Sequence, residues 1–217
     1  MKNMLMISGL FGLVAMTSAG CQKDPLKNLT PAESRIYITN HDSTADFSGF
    51  ATFSIADSAG IIEDNQGSGK ELSSYDAAVI AAVTKSMQDR GFQLVDRGDN
   101  PDLGITVSRI YNNYTGVVSY PDYWGGYGGF YDPFYWGYGG YDYYDPTYYG
   151  AGYYDVYQVT QGALEVDILN LKDAKETNTI KPLWSGMARG TGVFNEANVT
   201  NQVNAFFDQS PYLKTTL

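Results

Sequence analysis

Apolar and polar residues alternate along Arg35-Ile36-Tyr37-Ile38-Thr39 and again along Phe50-Ala51-Thr52-Phe53-Ser54-Ile55. That is the period of a strand with one buried face. Asp46-Phe47-Ser48-Gly49 between them predicts a turn, and Asp57 to Gly69, with Gly60, Gly67 and Gly69, reads as a loop. The period then changes. Tyr75, Val79, Ile80, Ala82, Val83 and Met87 form an i, i+4, i+8 stripe, so a helix is expected from Ser73 or Ser74 to Arg90. Serine caps it, Asp76 suits its first turn and Gly91 suits its end. Phe92 to Val95 predicts a short strand, Asp96 to Pro101 a turn and Leu103 to Tyr111 a longer strand. Val156 to Leu169 and Leu183 to Arg189 predict two more. A last helix from about Ala197 to Gln209 carries Val199, Val203, Phe206 and Phe207 on one face and stops before Pro211. This order predicts an α+β fold, an antiparallel or mixed sheet with two amphipathic helices on one face.

Between the strands ending at Tyr111 and starting at Val156 the pattern collapses. Residues 120–157 form a Tyr/Gly-rich insert of three imperfect units, each opening with Pro and closing with Tyr-Asp. From Ser119 to Asp155 there is no Val, Ile, Leu, Met, Lys, Arg or Glu, and the charges are Asp122, Asp132, Asp142, Asp145 and Asp155. Without aliphatic residues it cannot build a core of its own, and its Gly-Gly and Asp-Pro pairs favour turns over ladders. The expectation is a long, exposed, aromatic loop at the end of a hairpin. One reading is a low-complexity insert without a ligand. The other is a binding surface made by Tyr123, Trp124, Tyr127, Tyr131, Tyr135, Trp136 and Tyr138, whose rings suit proteins or the C–H faces of glycans. The spacing of the aspartates matches no calcium loop.

The N-terminus has a different pattern. Lys2, an apolar run from Met4 to Met16, the small residues Thr17 to Gly20 and then Cys21 read as a signal peptide over 1–20 with a lipidated cysteine behind it. Ser18 stands where such signals usually carry Leu or Val, and an ordinary cleaved signal is the alternative. Palmitate-type acyl chains on Cys21 would tie the protein to a membrane, since each buried methylene contributes about 0.8 kcal/mol. Residues 21–33, with Pro25 and Pro31, read as a tether, and 34–217 as a single domain interrupted by the insert.

Charge and chemistry narrow the function classes. Removing residues 1–20 takes away only Lys2, so a net charge of −10 becomes −11, which disfavours nucleic acid as a partner. One cysteine allows no disulfide and no cysteine-based zinc site, and His41, the only histidine, allows no multi-histidine site. No metal and no cofactor are expected. His41 beside Asp42 could be a base with an orienting carboxylate, but it reads better as a solvated loop residue. Glu165 and Asp167 share a strand face and could act as a carboxylate pair. Alternation with Leu164, Val166 and Ile168 places them instead on a solvent side. Gly125 to Gly129 lacks the Lys-Ser/Thr and helix of a phosphate loop. Trp184 reads as a packing residue.

Several segments carry a family resemblance. Ala45-Asp46-Phe47-Ser48-Gly49-Phe50-Ala51-Thr52-Phe53, Gly91 to Asp96 with Asn100-Pro101-Asp102-Leu103, and Gly162 to Ile168 followed by Leu183-Trp184-Ser185-Gly186 are the ones that do so. Together they resemble a bacterial envelope lipoprotein family, the domain of unknown function four-one-three-six, over roughly residues 34–210. The helix and the later strands also look like the envelope domains of outer-membrane accessory lipoproteins. The first resemblance implies a lipid-anchored α+β domain at the outer membrane of a Gram-negative bacterium, facing the periplasm or the surface. It supplies no catalytic residues. Gln22-Lys23-Asp24 after the cysteine looks like a surface-export signal, and Asp42-Ser43-Thr44 and Asp57-Ser58-Ala59 look like short O-glycosylation signals. The expected function is non-enzymatic binding or assembly in the envelope. The expected partners are the membrane through the lipid, and envelope proteins or glycans. The alternatives are an envelope hydrolase using Asp46, Glu165 and Asp167, or a structural accessory subunit of an outer-membrane complex.

Overall fold

Leu103, Ile105 and Val107 point one way from their strand and Gly104, Thr106 and Ser108 the other, and a mixed sheet is built outward from this strand on both sides. The computed structural model describes residues 30, 33–63, 66–111, 115–119, 135–137, 142–143, 154–158 and 162–215, with backbone only at 66–67, 115–119, 142–143 and 154–158. In chain order the strands are β1 (Ile36–His41), β2 (Thr52–Ile55), β3 (Ala59–Glu63), β4 (Gln66–Glu71), β5 (Gln93–Leu94), β6 (Leu103–Tyr111), β7 (Thr115–Ser119), β8 (Asp142–Tyr143), β9 (Tyr154–Gln158), β10 (Ala163–Asn170) and β11 (Thr179–Arg189). The helices are α1 (Ser74–Asp89), the short α2 (Ala174–Thr177) and α3 (Val199–Asp208). The class is α+β, as the sequence predicts.

The main path of the open sheet runs β1-β11-β10-β6-β2-β5. β1, β11, β10 and β6 are antiparallel in turn, while β2 and β3 lie end to end along the other edge of β6, both parallel to it. The predicted hairpin around the insert is present as the β6–β10 pair, with Leu103 opposite Asn170 and Ile110 opposite Ala163. β7 and β9 pair separately in the same sense.

Both long helices pack on one face. Tyr75, Val79, Val83 and Met87 of α1 and Val199, Val203, Phe206 and Phe207 of α3 are buried in one cluster with Phe53, Ile105, Val166 and Trp184. Ser73 and Asp76 form a reciprocal capping box at the start of α1, and Gly91, at φ +92°, lets the chain leave its end. The Arg90 guanidinium then donates to the carbonyls of Phe207, Ser210 and Leu213, joining the C-terminal ends of the two helices. Gly186 is required by this face. A Cβ there would lie 2.5 Å from Trp184 Cη2 and 3.0 Å from Phe206 Cγ. Gly186→Ala is therefore expected to lower stability by about 1–3 kcal/mol through overpacking, read as a lower urea midpoint at unchanged slope.

Several expectations need correction. The glycine-rich loop from Asp57 to Gly69 contains strands β3 and β4, because Ile62 is buried against Ile110 and the parallel pairing with β6 outweighs the glycines. Strand β11 begins at Thr179 and runs through Pro182. The register shifts there, with Ile168 opposite Trp184 and Leu169 opposite Pro182, so the proline sits at a bulge where it need not donate. His41 is not a loop residue: it ends β1 and stacks on Tyr212 at 4.0 Å between ring centres and 28° between planes. Glu165 and Asp167 do not face solvent, as described next.

Candidate functional site

The sheet has a second, smaller apolar cluster on the face away from the helices. It contains Ile62, Ile110, Ala163, Leu169, Leu171, Ala174, Ile180 and Met187, and also Trp136 from the insert. Trp136 is 4% exposed, whereas the sequence predicts an exposed loop ring. Its indole lies over Gly104, where a Cβ would come 3.0 Å from Cζ2. The missing side chain at Gly104 makes the seat for the ring.

Tyr135 packs beside it, half-buried, edge-on to Trp136 at 4.9 Å and 88°. The Lys70 ammonium lies 4.3 Å and the Arg97 guanidinium carbon 4.5 Å from the Tyr135 ring centre. The Asp57 backbone N–H donates to its hydroxyl at 3.2 Å. Each exposed cation–π contact contributes about 0.5–1 kcal/mol, so the pair helps to hold the ring. Two of the seven candidate binding residues are thus anchors. Tyr123, Trp124, Tyr127, Tyr131 and Tyr138 lie outside the described residues, as do Cys21, Gln22, Lys23 and Asp24.

Of the carboxylates proposed for hydrolysis, Glu165 and Asp167 share a buried face of β10, whereas Asp46 is exposed in a turn. Glu165 and Asp167 are 2% and 1% exposed, on the second face of the sheet, where Thr106, Ser108 and Ser185 flank them in register. Alternation placed them correctly opposite Leu164, Val166 and Ile168, but that other face is covered too. Asp46 is exposed and bound to its own turn, accepting from the Ser48 N–H at 3.0 Å and the Ser48 hydroxyl at 2.6 Å.

Asp46 does line an open cleft of about 440 Å³ with Asp42, Thr44, Asp173, Thr179 and Lys181, over Ala45, Phe50 and Leu183. Its polar groups are bound to one another. Asp42 accepts from the N–H and hydroxyl of Thr44 at 2.8 and 2.7 Å and from the Lys181 ammonium, and Asn170 donates to Asp173 at 2.7 Å. The Thr44 hydroxyl of the expected glycosylation signal is therefore engaged with its own aspartate. Among the described residues, no group of three His, Cys, Asp or Glu side chains is placed to hold a metal.

Burial pushes the Asp42 carboxyl up, but the bonds from Lys181 and Thr44 outweigh it and hold it below the usual range. A carboxyl lowered by folding contributes stability above its unfolded pKa of about 4, and that contribution disappears as pH falls through the folded value. Asp42→Asn is thus expected to be less stable than the parent at pH 7, with the two urea midpoints converging below about pH 4.

The residues that carry the family resemblance hold turns and strand starts. The Asp102 carboxylate accepts from the N–H groups of Ala51 and Thr52 at 2.7 and 3.2 Å, and its own N–H donates to Thr52 Oγ1 at 3.0 Å. Its carbonyl accepts from Leu171 and Lys172 at 2.9 and 3.0 Å. One aspartate thereby ties β2, β6 and the end of β10. Sequence reasoning missed this clamp, and it missed the Asp76–Arg109 pair between α1 and β6. A charge at position 109 within an otherwise uncharged strand is the signal that could have found the pair.

The pattern known as the domain of unknown function DUF4136 matches residues 38–212. A crystal structure of a DUF4136 family protein from Bacteroides thetaiotaomicron is similar at 30% identity and a TM-score of 0.65, covering 84% of this chain and 99% of its own. A PDZ domain protein from Parabacteroides distasonis shows 13% identity and a TM-score of 0.42, over 83% of this chain and 37% of its own. PelC from Paraburkholderia phytofirmans, solved as a dodecamer, shows 7% and 0.38, over 84% of this chain and 99% of its own. Likenesses this low carry no argument. No curated protein matches.

Proposed function

The chain belongs to the DUF4136 family, and from that premise we propose a lipid-anchored, non-catalytic domain of the bacterial envelope that presents its Tyr/Gly-rich insert for binding or assembly. The observation that carries this reading is the docking of Tyr135 and Trp136 on the sheet. Seating at Tyr135 and Trp136 ties the insert to the domain part-way along its length. This lowers the ordering cost of binding compared with a free tail. The burial of Glu165 and Asp167, with Asp46 exposed and engaged by its own turn, supports binding over hydrolysis by those carboxylates. The proposed location is the outer membrane, with Cys21 as the acylated residue and the chain facing the periplasm or the surface.

Two experiments test the proposal. Radiolabelled palmitate is expected on the parent and not on Cys21→Ser, which should move to the soluble fraction; label on both would overturn the anchor. Photo-crosslinkers at Tyr123 and Tyr127 are expected to capture envelope components that probes at Lys85 and Gln88 of α1 do not. Capture from the helix alone would overturn the role of the insert, and specific loss of turnover on an envelope polymer in Asp46→Ala would favour the enzyme.

A further inference from the structure

Alternation along β6 puts Gly104, Thr106 and Ser108 on the face away from the helices, since Leu103, Ile105 and Val107 belong to the helix-side core. In register, Ser108 lies opposite Glu165, and Thr106 opposite Asp167, which lies opposite Ser185. All five side chains are buried. Trp136 closes one end of this row: a Cβ on Gly104 would lie 3.1 Å from indole Cε2, the carbon bonded to the ring nitrogen.

Three polar atoms along this row, Thr106 Oγ1, Ser108 Oγ and Trp136 Nε1, are buried and have no hydrogen-bond partner among the described residues. Buried polar groups are rarely left in that condition, because losing water without a replacement partner is costly. They are not scattered. Two lie on one strand and the third closes its end, beside two buried carboxylates.

We propose that ordered water molecules occupy a polar seam between the sheet and Trp136, bridging the indole N–H and the hydroxyls of Thr106 and Ser108 to Glu165 and Asp167. The occupant must accept from an indole N–H and donate to a carboxylate. Water does both, whereas a cation cannot accept from the indole. The second face of the sheet then carries a wet seam beside its apolar cluster, unlike the helix side, and Trp136 borders both.

Thr106→Val tests this at nearly constant volume. In a dry seam the change deletes an unsatisfied hydroxyl, so the melting temperature should hold or rise. In a hydrated seam it strands the bridging waters, and a fall of about 2–4 °C or more is expected, with a similar fall for Ser108→Ala and a smaller one for Thr106→Ser, which keeps the hydroxyl. A crystal structure of the unaltered chain decides even where a variant does not fold. Water peaks about 3 Å from Thr106 Oγ1, Ser108 Oγ and Trp136 Nε1 are expected. An empty seam, direct bonds from the hydroxyls to the carboxylates, or one peak with six or more oxygen ligands at about 2.4 Å would overturn the proposal, the last in favour of a cation.

Discussion

Asp76→Ala is expected to cost about 3–5 kcal/mol, enough to unfold much of the population of a marginal domain. Asp76 is fully buried and has two roles. One oxygen accepts from the Ser73 N–H at 2.8 Å and the Ser73 hydroxyl at 2.7 Å, closing the capping box of α1. The other lies 3.0 Å from Arg109 Nε. That approach is close but not aligned as a hydrogen bond, so the attraction there is chiefly Coulombic. The Arg109 side chain is only 12% exposed, and it also reaches the Glu71 carboxylate and, at 2.7 Å, the Tyr111 hydroxyl. Removing Asp76 leaves a guanidinium largely out of water with Glu71, at the surface, as its remaining charged partner, and most of the cost comes from that. Asp76→Asn keeps an acceptor for the cap and loses the charge, so it separates the roles, the cap alone contributing about 1 kcal/mol. Glu71→Gln, at a side chain 62% exposed, should cost under about 1 kcal/mol. Urea unfolding of the three variants checks the ranking; equal costs for Asp76→Ala and Glu71→Gln would refute it.

Trp184→Ala is expected to cost a similar amount, about 3–5 kcal/mol, for a different reason. Trp184 is 1% exposed at the centre of the helix-side core, edge-on to Phe206 at 6.4 Å and tilted against Phe207 at 5.9 Å. Its N–H donates to the fully buried Ser210 hydroxyl at 2.8 Å. Truncation opens a cavity between β11 and α3 and removes the Ser210 partner together. Trp184→Phe keeps most of the ring contact, and its smaller loss measures the polar part. Near-equal stabilities of Trp184→Ala and the parent in thermal unfolding would show that the core can collapse around the gap.

The helix-side half of the fold was legible because one periodicity specified both ends and face of each helix. The stripe Tyr75, Val79, Val83, Met87 and the set Val199, Val203, Phe206, Phe207 are the residues buried there, and β6 has its predicted bounds. Trp184 was recognisable as core for the same reason. The other half was not legible. Strand β3 forms among glycines because β6 offers it a free edge, and no local signal in Asp57 to Gly69 reports that edge. Thr179 to Pro182 fell outside the predicted strand because the bulge that accommodates the proline depends on the register with β10. Glu165 and Asp167 looked solvent-facing because alternation tells which residues share a face, not whether a further layer covers it.

The amino-acid order by itself determined the elements whose pattern is local: capped helices, the long strands and the break in composition across residues 120–157. It also determined family membership, because turn and clamp residues such as Asp46 and Asp102 are conspicuous in the sequence. Only the tertiary structure decided that both faces of the sheet are covered, that Trp136 is an anchor rather than an exposed ring, and that Asp76 and Arg109 meet. Those outcomes depend on contacts between residues far apart in the chain, and hydrophobic periodicity carries no information about the partner that completes a face.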